Sequence, residues 1–459
     1  MILAWNQEHG TIFRALVDEL KKENIRYFVL RNYEGLPEVN SSKDVDIIIE
    51  PGKLKEARCI LLNIYKQLGL QYYYETIFGR VHCILGMNEE TEFSIHIDLI
   101  EGYLSKGYEI FTFEELYSHT TWYREFCVMD SLYEGVMLYI YKQFGYTKPK
   151  LKDEYKECIS RTYQNYKDEF RSIIKKLTNG DFAEDICEDI ANEEFDLLLK
   201  KAPQLTKRLR SYVWRSRPIS TLKNTISFFV QKVIRIIFNY KKYVKSFAVM
   251  APDGAGKTTF LEALLDQLNF YYVNKPEDYR FHVYHFRPTL LPNLGEVGER
   301  AGVMKQDKNF TDPHRSKPAN PLSSLVRIAY YTLDYIVGWQ KCVRNDVHYD
   351  RYSVFDRYSY DLIVDPRRTK LNLPMWVRKF FVALTPKPKI VFLLNAEPEV
   401  IYARKQELTL EEITRQIGEY RKVANSNAER FIIINAEQTP QQMAKEAIRI
   451  LIKKYTVRL

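Results

Sequence analysis

The stretch SFAVMAPDGAGKTTFLEALLDQL, residues 246–268, constrains this 459-residue chain more than any other. An apolar run leads into a loop with two glycines and then into an amphipathic segment, the order of strand, phosphate loop and helix. Gly254 and Gly256 let backbone N–H groups turn inward around phosphate oxygens. Lys257 supplies a point charge for the terminal phosphates and Thr258 a hydroxyl ligand for magnesium. A helix starting near Lys257 adds its positive end. Asp253, Gly254, Ala255, Gly256, Lys257, Thr258 and Thr259 are thus the expected contacts of a nucleoside triphosphate. Ala251 stands where the pattern G-x-x-x-x-G-K-[ST] opens on glycine, and it adds one methyl.

A strand–loop–helix unit of this kind needs a sheet around it, and the runs SFAVM, FHVYHF, SVFDRY, KIVFLLN and RFIIINA predict one. They alternate with helical stretches, as in a parallel sheet buried on both faces. The motif begins past the middle of a chain long enough for two or three domains. Residues 1–125 alternate helix-like and strand-like patterns, among them the predicted strands RYFVLRN, DVDIIIE and FSIHIDLIEG. Residues 126–200 read as helical throughout. Composition is that of a folded protein, 46% hydrophobic and 28% charged. The six cysteines, at 59, 83, 127, 158, 187 and 342, have no framework spacing, which predicts free thiols in a reducing compartment. No leader pattern or membrane-spanning run is evident, so a cytoplasmic protein is expected, with membrane association left open.

The version PDGAGKTT, with Asp253 directly before the glycine, resembles the thymidylate kinase family. SVFDRYSYD resembles that family's D-R-Y segment after the third strand, and FLLNAEPEVIYARKQE its P-E-V stretch with an arginine-bearing lid. The resemblance covers much of 246–459. It implies an α/β P-loop kinase with ATP and Mg²⁺ as cofactors, in which catalysis is electrostatic rather than covalent. Lys257, Asp356, Arg357 and Arg404 are the implied catalytic residues, with Thr258 and Asp356 at the metal and Arg415 or Arg421 as helpers. A structural ion pair between Asp356 and Arg357, and solvated lid arginines, are the bland alternatives.

The acceptor side departs from that pattern. Where thymidylate kinases carry an R-E-P-G-G-T-like stretch, this chain reads HFRPTLLPNLGEVGERAG, keeping Arg287 and Pro288. Asp334, in YTLDYIVGWQ, lies near the place of an acceptor-facing arginine. FRPTLLP, FDRYSYDLIVDPRR and PEVIYARKQELTLEE resemble instead a divergent thymidylate-kinase-like group found in bacterial surface-polysaccharide gene sets. That resemblance implies a sugar or glycan-linked acceptor. Arg287, Arg357, Arg367 and Arg368 are the candidate contacts of an anionic acceptor, the last two being equally readable as solvated charges.

In the amino-terminal part, Asp44 and Asp46 lie two apart on a predicted strand, hence on one face, and Asp98 lies on a later one. This order resembles the nucleotidyltransferase fold, in which three carboxylates bind two metals. Arg31 and Asn32 occupy the region where that fold usually has a Gly-Ser pair. Solvated acids on an edge strand are the alternative. His96 shares the Asp98 face, as hydrogen-bonded neighbour or as ligand.

The net charge of +9 is concentrated. Between Leu197 and Pro252 there are thirteen Lys and Arg and no Asp or Glu, so the remainder of the chain is net acidic. Residues 201–245 read as a basic amphipathic linker, either packed on its own domains or lying on anionic lipid through 205–245. No recognition motif accompanies the charge, so nucleic acid is not an expected partner. A homodimer is left open. The expectation is an α/β protein with a nucleotidyltransferase-like domain, a helical subdomain and a P-loop kinase domain. It phosphorylates a small or glycan-linked acceptor in surface-polysaccharide metabolism. The competing readings are a bifunctional nucleotidyltransferase/kinase, a true thymidylate kinase and a non-catalytic ATP-binding scaffold.

Overall fold

The computed structural model describes residues 5–40, 44–146, 148–178, 180–234, 237, 244–271, 281–288, 290–291, 320–348 and 350–459. The chain forms two compact units, Met1–Val233 joined by Thr456–Leu459, and Ile234–Tyr455. Much of the stretch after FRPTLLP, and Arg235, Lys241 and Lys242 of the basic linker, lie outside the described residues.

The first unit is a mixed eight-stranded sheet with helices. Its strands are β1 (Tyr27–Val29), β2 (Val45–Ile49), β3 (Tyr72–Phe78), β4 (Val81–Asn88), β5 (Phe93–Glu101), β6 (Thr120–Tyr123), β7 (Phe126–Met129) and, last in the chain, β13 (Val457–Arg458). They lie in the order β13-β3-β4-β5-β2-β1-β7-β6. The opening helix Gln7–Lys22 is held by a capping box: Asn6 Oδ1 accepts from the His9 amide at 3.2 Å, and His9 Nδ1 accepts from the Asn6 amide at 3.2 Å. Its apolar stripe, Ile12, Phe13, Leu16, Val17 and Leu20, is fully buried. The β2–β5 pairing is parallel and in a register that sets Asp46 opposite Asp98. On the other side of β5, Cys83 of β4 lies opposite Asp98. Because β7 pairs with β1, the sheet runs past residue 125, and the continuous helical stretch begins at Ser131 rather than 126. A four-residue strand leaves too little alternation to be read against its helical neighbours. Helices Phe195–Ser216 and Pro218–Val233 then carry most of the described basic segment, whose last cation, Lys245, opens the strand Lys245–Met250 and is buried 3.2 Å from Asp350.

The second unit is a five-stranded, wholly parallel sheet of β8 (Lys245–Met250), β9 (Phe281–His285), β10 (Tyr352–Asp356), β11 (Ile390–Asn395) and β12 (Phe431–Asn435). The order is β12-β11-β8-β10-β9. All five apolar runs are therefore strands, and β8 is buried along its whole length, as a central strand covered on both faces must be. From β8 the chain builds β9 and β10 on one side and then crosses to build β11 and β12 on the other. The carboxyl end of β8 is thus the switch point where ligands bind in open parallel sheets.

Candidate active site

The phosphate loop leaves β8 at that switch point and enters the helix Lys257–Tyr271. Gly254 (φ +88°) and Gly256 (φ +82°) take the left-handed conformation that L side chains resist. A Cβ on Gly254 would stand 3.1 Å from Lys405 Cβ and 3.2 Å from the Ile401 carbonyl. The end of the helix Pro398–Arg404, in the stretch expected to carry the lid, thus lies directly on the loop. Ala251 is fully buried, and its carbonyl accepts from Arg357 Nη1 at 3.2 Å and Tyr420 Oη at 3.4 Å. Thr258 and Thr259 are exposed in the first helical turn, with Thr259 Oγ1 donating to the Gly256 carbonyl at 2.9 Å.

Asp356 ends β10, beside β8 and level with Val249. One of its oxygens is paired with Lys257 Nζ, and the other is 3.0 Å from Nδ1 of His285, its neighbour on β9. Burial alone pushes the carboxyl up, but the Lys257 hydrogen bond and charge, with His285 and Arg357, hold it below its usual range.

Arg357 follows in a left-handed conformation (φ +71°), rare for a non-glycine residue. Its guanidinium is buried and gripped from two sides, by Asp253 of the loop and by Asp361 Oδ2 at 3.0 Å. Burial opposes its charge, yet Asp361, Tyr420 and Asp253 raise its pKa well above the ordinary value. Asp361 is itself fully buried and accepts from Tyr420 Oη at 2.7 Å. Arg368 takes the second oxygen of Asp253 while its Nε is 3.3 Å from Asp365. Asp253 therefore stands between two arginines tied to buried acids. The i, i+4 spacing of Arg357 and Asp361 was a usable sequence signal for part of this network. Nothing in the sequence pointed to Tyr420 or His285.

The remaining arginines are placed differently. Arg287 is buried and donates to Asp334 Oδ2 at 2.7 Å; the other oxygen of that fully buried carboxylate accepts the Leu291 amide at 2.8 Å. Arg404 donates to the Ala436 carbonyl at 2.8 Å. Arg415 makes a two-point bond with Glu412 at 2.9 and 2.6 Å, and Arg421 reaches Asn395 at 3.3 Å. Arg367 is exposed.

In the first unit, Asp46 and Asp98 face the same side of neighbouring strands, with Asp44 just before β2. Arg31 donates to Asp46 Oδ2 through Nε at 3.0 Å and Nη2 at 2.8 Å. Its guanidinium lies over the Tyr155 ring, as does the Lys142 ammonium, 4.9 Å from the ring centre. Burial draws Lys142 down to about 8. His96 Nε2 is 2.9 Å from Asp98 Oδ1. Asn32 adopts φ +56°, a conformation glycine takes readily.

A glycine-turned loop at the switch point of a parallel sheet, with lysine and aspartate converging on it, defines a P-loop nucleotide-binding domain. No family model matches the chain. Over 217 residues it is 27% identical to a protein of Methanosarcina barkeri (strain Fusaro / DSM 804) described as a probable thymidylate kinase, in an alignment taking in 44% of this chain and 92% of that one. A solved thymidylate kinase from Ehrlichia chaffeensis covers 45% of this chain and 98% of its own, at 16% identity and a TM-score of 0.30. The chain carries a thymidylate kinase-like P-loop kinase domain and is a phosphotransferase of the nucleotide kinase type.

Proposed function

We propose that the second unit transfers the γ-phosphoryl group of ATP, with Mg²⁺, to a small or glycan-linked acceptor in bacterial surface-polysaccharide metabolism, and that thymidylate is not its substrate. The observation carrying this is the buried Arg287–Asp334 pair. An arginine whose charge is met by an internal carboxylate offers little to an anionic acceptor, and extracting it would strand Asp334.

The residues at the loop fit a magnesium-bound nucleotide: Thr258 offers an exposed hydroxyl, the hard oxygen donor the ion takes, and Asp356, with Lys257 and His285 on its oxygens, would hold the ion through its shell of waters. When bound, the metal neutralises charge developing on the phosphoryl oxygens. Lys257 keeps Asp356 ionised and oriented, and loop amides take the β-phosphate. Asp253, with Arg357 on one oxygen and Arg368 on the other, is held rigid at the edge of the loop. Arg404 and its lid neighbours close over the phosphates.

For the first unit, the ion pair between Arg31 and Asp46 favours a nucleotidyltransferase-like fold that does not transfer nucleotides. The Arg31 guanidinium already holds Asp46 Oδ2, and His96 stands 2.9 Å from Asp98, so two of the three carboxylates that would share two metals have partners within the chain. Bifunctional transfer is thereby disfavoured.

An acceptor screen following labelled γ-phosphate, with thymidylate, sugars, sugar phosphates and lipid-linked glycans, tests the reading. Transfer to a sugar-bearing acceptor supports it. Robust thymidylate phosphorylation overturns it in favour of the relative's described activity, and ATP binding without turnover to any acceptor makes the chain a scaffold.

A further inference from the structure

The helix Pro218–Val233 is built inside out. Its buried residues are Thr221 and Asn224, whereas Ile219 is 83% exposed and Phe229 64%. Leu222, Ile226 and Val230 are exposed as well. Positions 219, 222, 226, 229 and 230 recur at the three- and four-residue spacing of a single helical face. The face turned to the body of the first unit is the polar one, and it is anchored. Asn224 Oδ1 accepts from Arg80 at 3.1 Å, Thr221 Oγ1 is 3.4 Å from the Val213 carbonyl of the preceding helix, and Arg217, just before the helix, reaches Glu115 through Nη2 at 2.7 Å. At Gly107 (φ +87°) a Cβ would come within 2.9 Å of Thr225 Cα, so the helix backbone lies flush on that loop. An orientation this well fixed leaves the apolar stripe outward by construction.

What covers the stripe follows from charge. The helix carries exposed Lys223 and Lys232, the helix before it exposed Lys207, Arg210 and Arg215, and the sequence from Leu197 to Val233 has no acid. A basic helix with an outward aliphatic and phenylalanine face suits a surface that is negative at its boundary and apolar beneath, which is an anionic bilayer. Among the described residues no helix is long and apolar enough to cross one. We propose that this helix docks the protein on anionic lipid, lying in the headgroup plane. The proposal rests on the first unit alone and is independent of what the second phosphorylates.

Flotation of the full chain with vesicles of phosphatidylcholine, with and without phosphatidylglycerol, tests it. The expected result is binding to the anionic vesicles that weakens with salt. Lys223→Gln and Lys232→Gln should each lower the partition coefficient about fivefold. Ile226→Asp/Phe229→Asp should lower it at least about tenfold with an unchanged melting temperature, since both side chains face outward. Equal binding to neutral vesicles, or none to either, overturns the proposal. A concentration-dependent dimer abolished by the double variant would assign the stripe to a second copy. A lowered melting temperature in the double variant would assign it to the chain's own interior. Either result sinks the lipid assignment.

Discussion

At the scale of single residues, the chemistry proposed for the second unit rests on the phosphate loop and Asp356, and Lys257 and Gly254 answer to different tests. Lys257→Ala removes the ammonium proposed to meet the terminal phosphates and should lower kcat about 10²–10³-fold, measured as ATP turnover with a competent acceptor. Melting temperature should fall as well, because the freed and largely buried Asp356 keeps only the exposed His285 as hydrogen-bond partner, so turnover is to be read below the variant's own melting transition. Gly254→Ala is a steric test: it forces a left-handed alanine against Lys405 and the Ile401 carbonyl. A stability loss of about 1–2 kcal/mol in urea titration is expected, together with weaker ATP binding by calorimetry. The loop glycines and lysine were legible because phosphate binding depends on a few adjacent backbone amides. The partners of Arg357 were only partly so: Asp361 is four positions along the chain, whereas Asp253 lies 104 positions upstream and reaches it only because β8 and β10 pair.

Elements decide what those residues face. The D-x-D stretch was recognisable as a strand, but whether its acids meet a metal or a cation depends on what stands beside Asp46, and the chain following β1 brings Arg31 there. Arg31→Ala should cost about 3 kcal/mol in denaturant unfolding, since it strands a largely buried carboxylate. Asp46→Asn on that background should recover much of the loss, a coupling of about 1–3 kcal/mol in the double-mutant cycle. Independent, additive losses would show that the pair contributes nothing. The helix Ser131–Tyr141 offers a pH test. Burial, reinforced by Glu34, raises its buried Glu134 to about 7, with Arg161 and Arg31 opposing. The folded form thus holds a proton that the unfolded chain has released above about pH 4.3. Stability should therefore fall as pH climbs from there to 7, by at most about 4 kcal/mol. Glu134→Gln should flatten that decline, leaving the variant more stable than the parent at pH 8 but not at pH 5.

For the whole molecule, the two units predict separable responses. ATP at about a hundredfold its Kd should add about 2.7 kcal/mol to the stability of the unit that binds it. Hydrogen exchange should show that protection in β8, β10 and the helix Lys257–Tyr271, with β2 and β5 unchanged; protection of β2 and β5 would reveal a nucleotide site in the first unit. The sequence by itself determined the second unit's parallel sheet, because five buried apolar runs admit little else, and the phosphate loop, whose chemistry is contiguous. It also determined where the charge lies. Only the tertiary structure decided that Arg287 is neutralised by Asp334, that Arg31 occupies Asp46, that the last residues of the chain add β13 to the first unit's sheet, and that the basic helix turns its apolar stripe outward. The physical reason is the same each time. Periodicity and residue type report what a segment is able to bury or bind, whereas the partner that satisfies a given charge or covers a given face comes from a distant part of the chain, and only packing brings it near.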